Sequence, residues 1–307
     1  MVHPSMGNDP LVRIADLRAI GESYPQARAQ VTGLQRLARG VYGSTAGLTP
    51  EAMHLLAARA TLTRVGEAVA SHTTAAIGWG LPVRSMDLDL VRISPIEGRA
   101  GKPKRGPGYH AHNTPVAAAD VDRGFTSAVR TVLDCARLIR ADWAVVIADA
   151  ALHNDLVSPD ELALRASRVR HVTGAARARA LPLRCSGLSE SPGETLLRLR
   201  IQRMGLVPVE QAVLHEVDGL PRVDFLVEDF LVIEFDGRAK YSIGGDPERA
   251  HWEEKKRHDR IGEAGYEVLR ITWGDLWDEQ VLGARVQRAM MRAMARRGAT
   301  PPRNPLR

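Results

Sequence analysis

Residues 222–237 read RVDFLVEDFLVIEFDG, two short apolar runs that each carry acidic residues. Side chains of a β-strand point alternately to opposite faces of its sheet. Glu234 and Asp236 therefore share one face of the second run, and Asp224 is separated in the same way from its apolar neighbours in the first run. The stretch predicts two adjacent strands with acids on the face opposite to the core.

The turn between these strands decides whether Asp224 and Glu234 meet. If the two acids are direct partners, their mean position is 229, so the turn contains an odd number of residues, and 228–230 forms a three-residue hairpin loop. An even turn would place Asp224 opposite Ile233 and send the two acids to different faces. We predict the odd turn, or a bulge with the same effect.

Acids at the ends of apolar strands raise the free energy of the fold unless a positive group joins them. Mg²⁺ prefers oxygen ligands in octahedral geometry and keeps several waters. The pattern at Asp224, Glu234 and Asp236 therefore predicts a Mg²⁺ site, in which Mn²⁺ is expected to substitute. The alternative is a set of strand-end acids in surface ion pairs.

The segments around these strands complete an α/β pattern. Their predicted order is a helix over 192–204, strands over 207–214, 222–227 and 231–236, a helix over 247–264, a strand over 267–271 and a helix over 275–295. This order is typical of an α/β domain in which helices flank a mixed sheet. We place this domain at 189–295 and a basic tail at 296–307.

The first two-thirds of the chain is rich in helical patterns. Apolar residues recur at helical spacing over 11–20, Pro25 and Thr32 can begin two more helices, and a short strand and turn follow. Three short helices before a wing are the plan of a winged helix-turn-helix. We predict this fold for 1–48, with a packing subdomain that touches no DNA as the alternative, and a mainly helical middle domain for 49–185.

Charge and composition indicate the kind of partner and the cellular compartment. The net charge is +6 and the isoelectric point is near 9.7, and the segment 285–307 holds seven arginines and no acid, which favours contact with a polyanion. Two cysteines in unrelated contexts suit a reduced cytoplasm. The absence of a signal pattern and of an apolar run of about eighteen residues predicts a cytoplasmic protein that does not enter a membrane.

Several motifs occur in order along residues 191–276: SPGETLLR, EQAV, RVDFL, VIEFDGRAKY and EKKRHDRIGEAGYEVLRITWGDL. Together they resemble the very-short-patch-repair-like branch of the PD-(D/E)XK nuclease superfamily over about a hundred residues. More loosely, the front of the chain resembles actinobacterial proteins that place an AbiEi-type antitoxin or winged-helix region before such a domain. That likeness rests on the helix pattern through Tyr42, on ASHTTAAIGWGLP and on TVLDCARL.

The resemblance implies a restriction-endonuclease-like fold and a Mg²⁺-dependent DNA endonuclease. It assigns Asp224 as the bridging metal ligand and Glu234 as the second ligand. Glu194, on the first helix, is expected to face the same cluster and to help hold a metal-bound water. Gln211 is expected next to the active centre.

One position departs from the superfamily pattern, which has lysine two residues after the second acid. Asp236 stands there. Either the lysine has migrated, with Lys240 and Lys255 as candidates, or the chain is a poor catalyst. The alternative function is a non-catalytic DNA-binding regulator, similar to an antitoxin, with a nuclease fold retained as scaffold. Expected partners are DNA and, through the N-terminal region, a toxin or another protein.

Two histidine motifs lie outside this constellation. His110 and His112 share one face of a short predicted strand, where a metal site lacks a nearby acid or cysteine. Ser71 and His72 are adjacent in sequence, so their side chains are expected to diverge, and no acid completes a catalytic triad. We expect no zinc site at His110 and His112, and we interpret the Ser71-His72 motif as packing or capping.

Overall fold

The computed structural model describes residues 11–98, 106–237 and 247–297, apart from the side chains of 247–251 and 297. The chain divides into two compact units, Met1–Cys185 and Ser186–Arg307. Both are α/β, with mixed sheets flanked by helices. Within the described residues, no helix combines the length and the apolar character needed to span a membrane.

The N-terminal unit contains eight strands and eight α-helices among its described residues. The strands are β1 (Val12–Arg13), β2 (Gln35–Ala38), β3 (Val41–Gly43), β4 (Ala68–Ala70), β5 (Val91–Pro95), β6 (Tyr109–Ala111), β7 (Val121–Asp122) and β8 (Phe125–Thr126). The helices are α1 (Ile14–Ala19), α2 (Tyr24–Gln30), α3 (Pro50–Val65), α4 (His72–Gly78), α5 (Ala128–Leu138), α6 (Ala141–His153), α7 (Pro159–Ser167) and α8 (Ala175–Ala180).

The first segment of this unit holds two short helices and a three-stranded sheet in the order β1-β3-β2. The predicted third helix is wrong, because Gln35–Ala38 forms β2 and pairs antiparallel with β3. Gly40 supplies the positive φ, 76°, in the tight turn between the two strands. The predicted strand and turn are confirmed, and α3 packs against both strands of this hairpin.

The middle of the unit contains a five-stranded mixed sheet in the order β6-β5-β4-β8-β7. The predicted helical content of 49–185 is present in α3 to α8. The prediction of a mainly helical domain did not include most of this sheet. The arginine-rich stretch 165–188 contributes α8, which packs against α5 and α7.

The C-terminal unit closely follows the predicted order of elements. It contains α9 (Pro192–Arg203), β9 (Val209–Val213), β10 (Arg222–Val227), β11 (Leu231–Asp236), α10 (Pro247–Glu263), β12 (Glu267–Thr272), α11 (Trp273–Leu276) and α12 (Glu279–Arg297). The sheet order is β12-β11-β10-β9, with β11 and β12 parallel and the other neighbours antiparallel. The mixed sheet is therefore confirmed.

The predicted last helix is two helices, not one. The first ends at Leu276, and Asp278 then begins α12, because its carboxylate accepts the backbone N–H groups of Gln280 and Val281 at 3.1 and 3.0 Å. On the sheet, α9 packs so closely on β11 that a Cβ at Gly193 would meet the ring of Phe235 at 2.0 Å.

Candidate active site

The hairpin between β10 and β11 has the predicted odd turn. Phe225 pairs with Ile233, and Val227 pairs with Leu231, so three residues, 228–230, form the loop. Extending the same register by one residue places Asp224 opposite Glu234. The register prediction is confirmed, and it puts the two acids on one face of the sheet.

Asp224 ends the regular pairing between the two strands. Its carboxylate accepts the backbone N–H of Phe235 at 2.7 Å, beyond the last backbone pair of the two strands. On its other side Asp224 lies opposite Gln211, since both flanking pairs of β9 and β10 keep one register. Gln211 has a φ of 49°, in the left-handed region, so the backbone of β9 is distorted beside Asp224.

A cavity of about 380 Å³ opens at this point of the sheet, and we call it the carboxylate cavity. Four of the predicted site residues line it: Gln211, Asp224, Glu234 and Asp236. The other lining residues that carry charge are Glu190, Glu254, Arg222, Arg257 and Arg270. The structure therefore brings the acids of β10 and β11 together, and it surrounds them with arginines.

Glu234 is the most buried acid of the cavity, with 9% of its surface exposed. One carboxylate oxygen accepts from Arg257 at 2.6 Å, and the other lies 3.2 Å from His258 Nε2. Burial by itself raises the pKa of Glu234, but the hydrogen bond with His258 and the charge of Arg257 outweigh it and lower the pKa below its usual value. Glu234 is therefore held as a carboxylate.

A second set of possible metal ligands meets Glu234 from α10. Within the described part of the chain, Glu234, Glu254 and His258 are the acids and histidines that bring three ligand atoms within 4.8 Å of one another. Neither Asp224 nor Glu194 belongs to this group. Two carboxylates and one imidazole fit a divalent transition-metal ion such as Mn²⁺, whereas Mg²⁺ prefers an all-oxygen set such as Asp224 with Glu234.

His258 Nε2 lies at the centre of this set. It is 3.2 Å from Glu234, 3.6 Å from Glu254 and 3.0 Å from Arg270 Nε. One imidazole nitrogen either donates or accepts a hydrogen bond, so it cannot satisfy the carboxylates and the guanidinium together. A divalent cation held by the two carboxylates and by Nε2 would replace these hydrogen bonds, so the donor set is compatible with a metal.

Glu194 is placed differently from the expectation that it faces the metal cluster. It is buried at the start of α9, where its carboxylate accepts from Ser191 Oγ at 2.7 Å, from the Glu190 N–H at 2.9 Å and from Gln211 Nε2 at 3.0 Å. It does not line the carboxylate cavity. Its link to the cavity runs through Gln211, so its structural role is to cap α9 and orient that side chain.

Among the described residues, the positive charge of the cavity comes from arginines. Lys255 is exposed and is absent from the cavity wall, while Lys240 lies outside the described residues. Arg257 and Arg270 stand in the cavity instead. Arg270 was missed, although it is a charged residue within an alternating strand, and in the structure it pairs directly with Glu234 across the parallel β11–β12 ladder.

Comparisons with protein-family models, with curated proteins and with solved structures find no match for this chain. The nuclease resemblance of the motifs is therefore an expectation from sequence alone, and the chemistry of the carboxylate cavity rests on the side chains that line it.

Proposed function

We propose that the protein is a metal-dependent DNA endonuclease that hydrolyses phosphodiester bonds in the carboxylate cavity. One observation carries the proposal: Asp224 and Glu234 face each other across β10 and β11 and line one cavity with Asp236, Arg257 and Arg270. Acids can hold a cation, and guanidinium groups bind phosphate oxygens. Both requirements of phosphodiester hydrolysis are thus met by residues in one place.

Glu234 is the ligand on which both possible metal sets depend. It faces Asp224 on one side and meets Glu254 and His258 on the other. A bound divalent cation would polarise the phosphoryl oxygen and lower the pKa of an attacking water. To free the carboxylate, Arg257 gives up its bond to Glu234, and its guanidinium is then available to bind a phosphate oxygen of the substrate.

In this proposal the fold of the C-terminal unit is of the restriction-endonuclease type, and the N-terminal unit contributes DNA or protein contacts. The two short helices and the β2–β3 hairpin would supply the recognition helix and the wing of the proposed winged-helix region, with one helix fewer than expected. A toxin or another regulatory protein would bind through the same unit.

A second candidate function is a DNA-binding regulator that does not cleave. It is favoured by the ion pairs of Glu234, whose two oxygens are both engaged by Arg257 and His258. Asp236 in place of the lysine that the superfamily pattern requires points the same way. In this alternative the carboxylates stabilise the sheet and bind no metal.

The test is cleavage of supercoiled plasmid with Mg²⁺ or Mn²⁺ by the wild type and by Asp224→Asn. Asparagine keeps an oxygen that can accept from the Phe235 N–H, so the hairpin is retained while the charge is lost. We expect a rate at least about 100-fold lower, the size typical for loss of one electrostatic partner. Asp229→Asn, an exposed position on the same hairpin, should cleave like the wild type.

Equal cleavage by wild type and Asp224→Asn would overturn the proposed site. Tight DNA binding without cleavage in either metal would favour the regulator instead. Mn²⁺ titration without DNA then separates the ligand sets: Glu234→Gln weakens binding in both, whereas Glu254→Gln weakens it only if the helix set holds the ion.

A further inference from the structure

The N-terminal unit contains a second charged cavity, of about 320 Å³, whose chemistry the proposed nuclease does not use. It lies between α5, α7 and the segment that follows α7. Its charged lining residues are Asp120, Arg130, Asp134, Arg137, Arg165, Arg168 and Arg170. Five arginines against two aspartates give this arginine cavity a formal charge of +3, which favours an anion.

Asp134 holds two of these arginines in place. Asp134, with 1% of its surface exposed, accepts from Arg130 Nε and from Arg137 Nη1, both at 2.8 Å. Arg137 also donates to the Thr173 carbonyl at 2.9 Å. The guanidinium groups are therefore oriented before any ligand arrives, and binding an anion costs little further side-chain entropy.

Asp120 extends the same arrangement toward α7. It lies 3.7 Å from Arg130 and forms an ion pair with Arg165. The two aspartates thus pair with three arginines and join them in one network of ion pairs.

Two further arginines supply most of the excess positive charge. Arg168 and Arg170 are exposed at the cavity and, among the residues that the structure describes, neither forms an ion pair with an acid. Arg170 is anchored by a 3.3 Å hydrogen bond to the Val169 carbonyl. Because both side chains are exposed and this bond is long, they can turn toward a ligand that enters from solvent.

We propose that the arginine cavity binds a phosphate group. Guanidinium groups present paired N–H donors that match phosphate oxygens, and a phosphate dianion offsets more of the +3 charge than a carboxylate would. The phosphate could belong to a nucleic-acid backbone or to a small phosphorylated molecule, which present the same group to these arginines. The proposal is independent of cleavage in the C-terminal unit.

The experiment uses the full chain in EDTA, so that metal-dependent cleavage plays no part. Thermal unfolding is measured with and without inorganic phosphate, and binding of a labelled 20-base-pair duplex is measured as a function of salt. The test variant is Arg168→Gln combined with Arg170→Gln, both exposed positions. The matched control is Arg64→Gln, an exposed arginine of the same unit that does not line the cavity.

For the wild type and the control, phosphate should raise the melting temperature, as expected for a ligand of the folded state. The double variant should lose this shift and bind phosphate at least about tenfold more weakly, with an unchanged melting temperature in phosphate-free buffer. If the ligand is a nucleic-acid backbone, the plot of log affinity against log salt should also be less steep for the double variant than for the wild type. The expected difference in slope is about 1.8, which corresponds to two lost phosphate contacts.

Loss of phosphate stabilisation with unchanged DNA binding would support the proposal and identify a small phosphorylated molecule as the ligand. Loss of both responses would support it and identify a nucleic-acid backbone. Phosphate and DNA binding equal in the double variant and the control, or a wild type that binds neither, would overturn it. None of these outcomes depends on whether the carboxylate cavity cleaves DNA.

Discussion

The carboxylate cavity of the C-terminal unit and a histidine cluster of the N-terminal unit bury ionisable groups in opposite ways. In the cluster, the rings of His72 and His112 stack with centroids 3.6 Å apart, and the ring of His110 lies 4.5 Å from that of His112. Burial lowers the pKa of His112 to about 2 and that of His72 well below its usual value. The two stacked rings are therefore neutral, whereas Glu234 is charged and paired.

The difference follows from what surrounds each group. Glu234 has an arginine and a histidine at its two oxygens, whereas the charges of Arg137, Arg92 and Arg130 further lower the pKa of His72. The ligand atoms of the clustered histidines do not form a three-ligand metal group within the described structure. Of these two clusters, the carboxylate cavity is the one that places possible metal ligands beside guanidinium groups.

The largest effect on this difference is expected from removing the charge of Glu234. Glu234→Ala leaves Arg257, whose side chain is 24% exposed, and His258 without their buried partner. We expect the C-terminal unit to lose about 3 kcal/mol of stability, because the partly buried guanidinium of Arg257 loses its closest carboxylate and keeps only the more distant Glu254. The measurement is urea unfolding followed by tryptophan fluorescence.

Glu254→Ala is the matched control for this variant. Glu254 belongs to the same network, but its side chain is 32% exposed, so its ion pairs are screened by solvent. We expect a loss below about 1 kcal/mol. Equal losses for the two variants would contradict burial as the cause of the larger effect.

As the pH falls, the histidine cluster and Glu234 are expected to lose their contributions to stability in different pH ranges. In the unfolded chain His72 and His112 take up protons near pH 6.5, but in the folded chain they stay neutral. Their stabilisation is therefore complete above pH 6.5 and is lost as the pH falls, by at most about 1.4 kcal/mol per pH unit for each histidine. Glu234, with a lowered pKa, loses its contribution only below about pH 4.5.

Unfolding of the N-terminal unit, measured at pH 7, 6 and 5, checks this expectation. His112→Gln should flatten the dependence on pH, since one group no longer takes up a proton on unfolding. His215→Gln, an exposed histidine of the other unit, should leave it unchanged. A wild-type stability that is constant from pH 7 to pH 5 would contradict the neutral stack.

Local pattern was enough to predict the hairpin that carries Asp224 and Glu234. Both strands have the expected bounds, because apolar residues alternate with acids and the odd turn leaves one register. The start of α9 was also predictable from Ser191-Pro-Gly-Glu194, where the serine caps the helix. Gln211, which lines the cavity, was predicted from the family resemblance alone. Nothing in the surrounding sequence predicts its positive φ.

What the sequence did not reveal depends on contacts between distant segments. The parallel bridge of Ala70 with Phe125 joins strands of two or three residues that have no local signature. Arg257 and Arg270 become site residues only when α10 and β12 fold against Glu234. Ser71 and His72 were expected to diverge, which was wrong: a φ of 52° at His72 brings its Nδ1 to 3.0 Å from Ser71 Oγ.

The smallest expected effect concerns backbone strain at one residue in each unit. Glu228 in the hairpin loop and His72 at the start of α4 both have positive φ, at 51° and 52°. Glu228→Gly should stabilise the C-terminal unit by at most about 1 kcal/mol, because glycine relieves the strain of the left-handed region but has more freedom to lose on folding. His72→Gly relieves the same strain yet removes the ring stacked on His112, so the N-terminal unit should become less stable. Thermal unfolding of both variants distinguishes these signs, and a stabilised His72→Gly would mean that backbone strain outweighs the stacked pair.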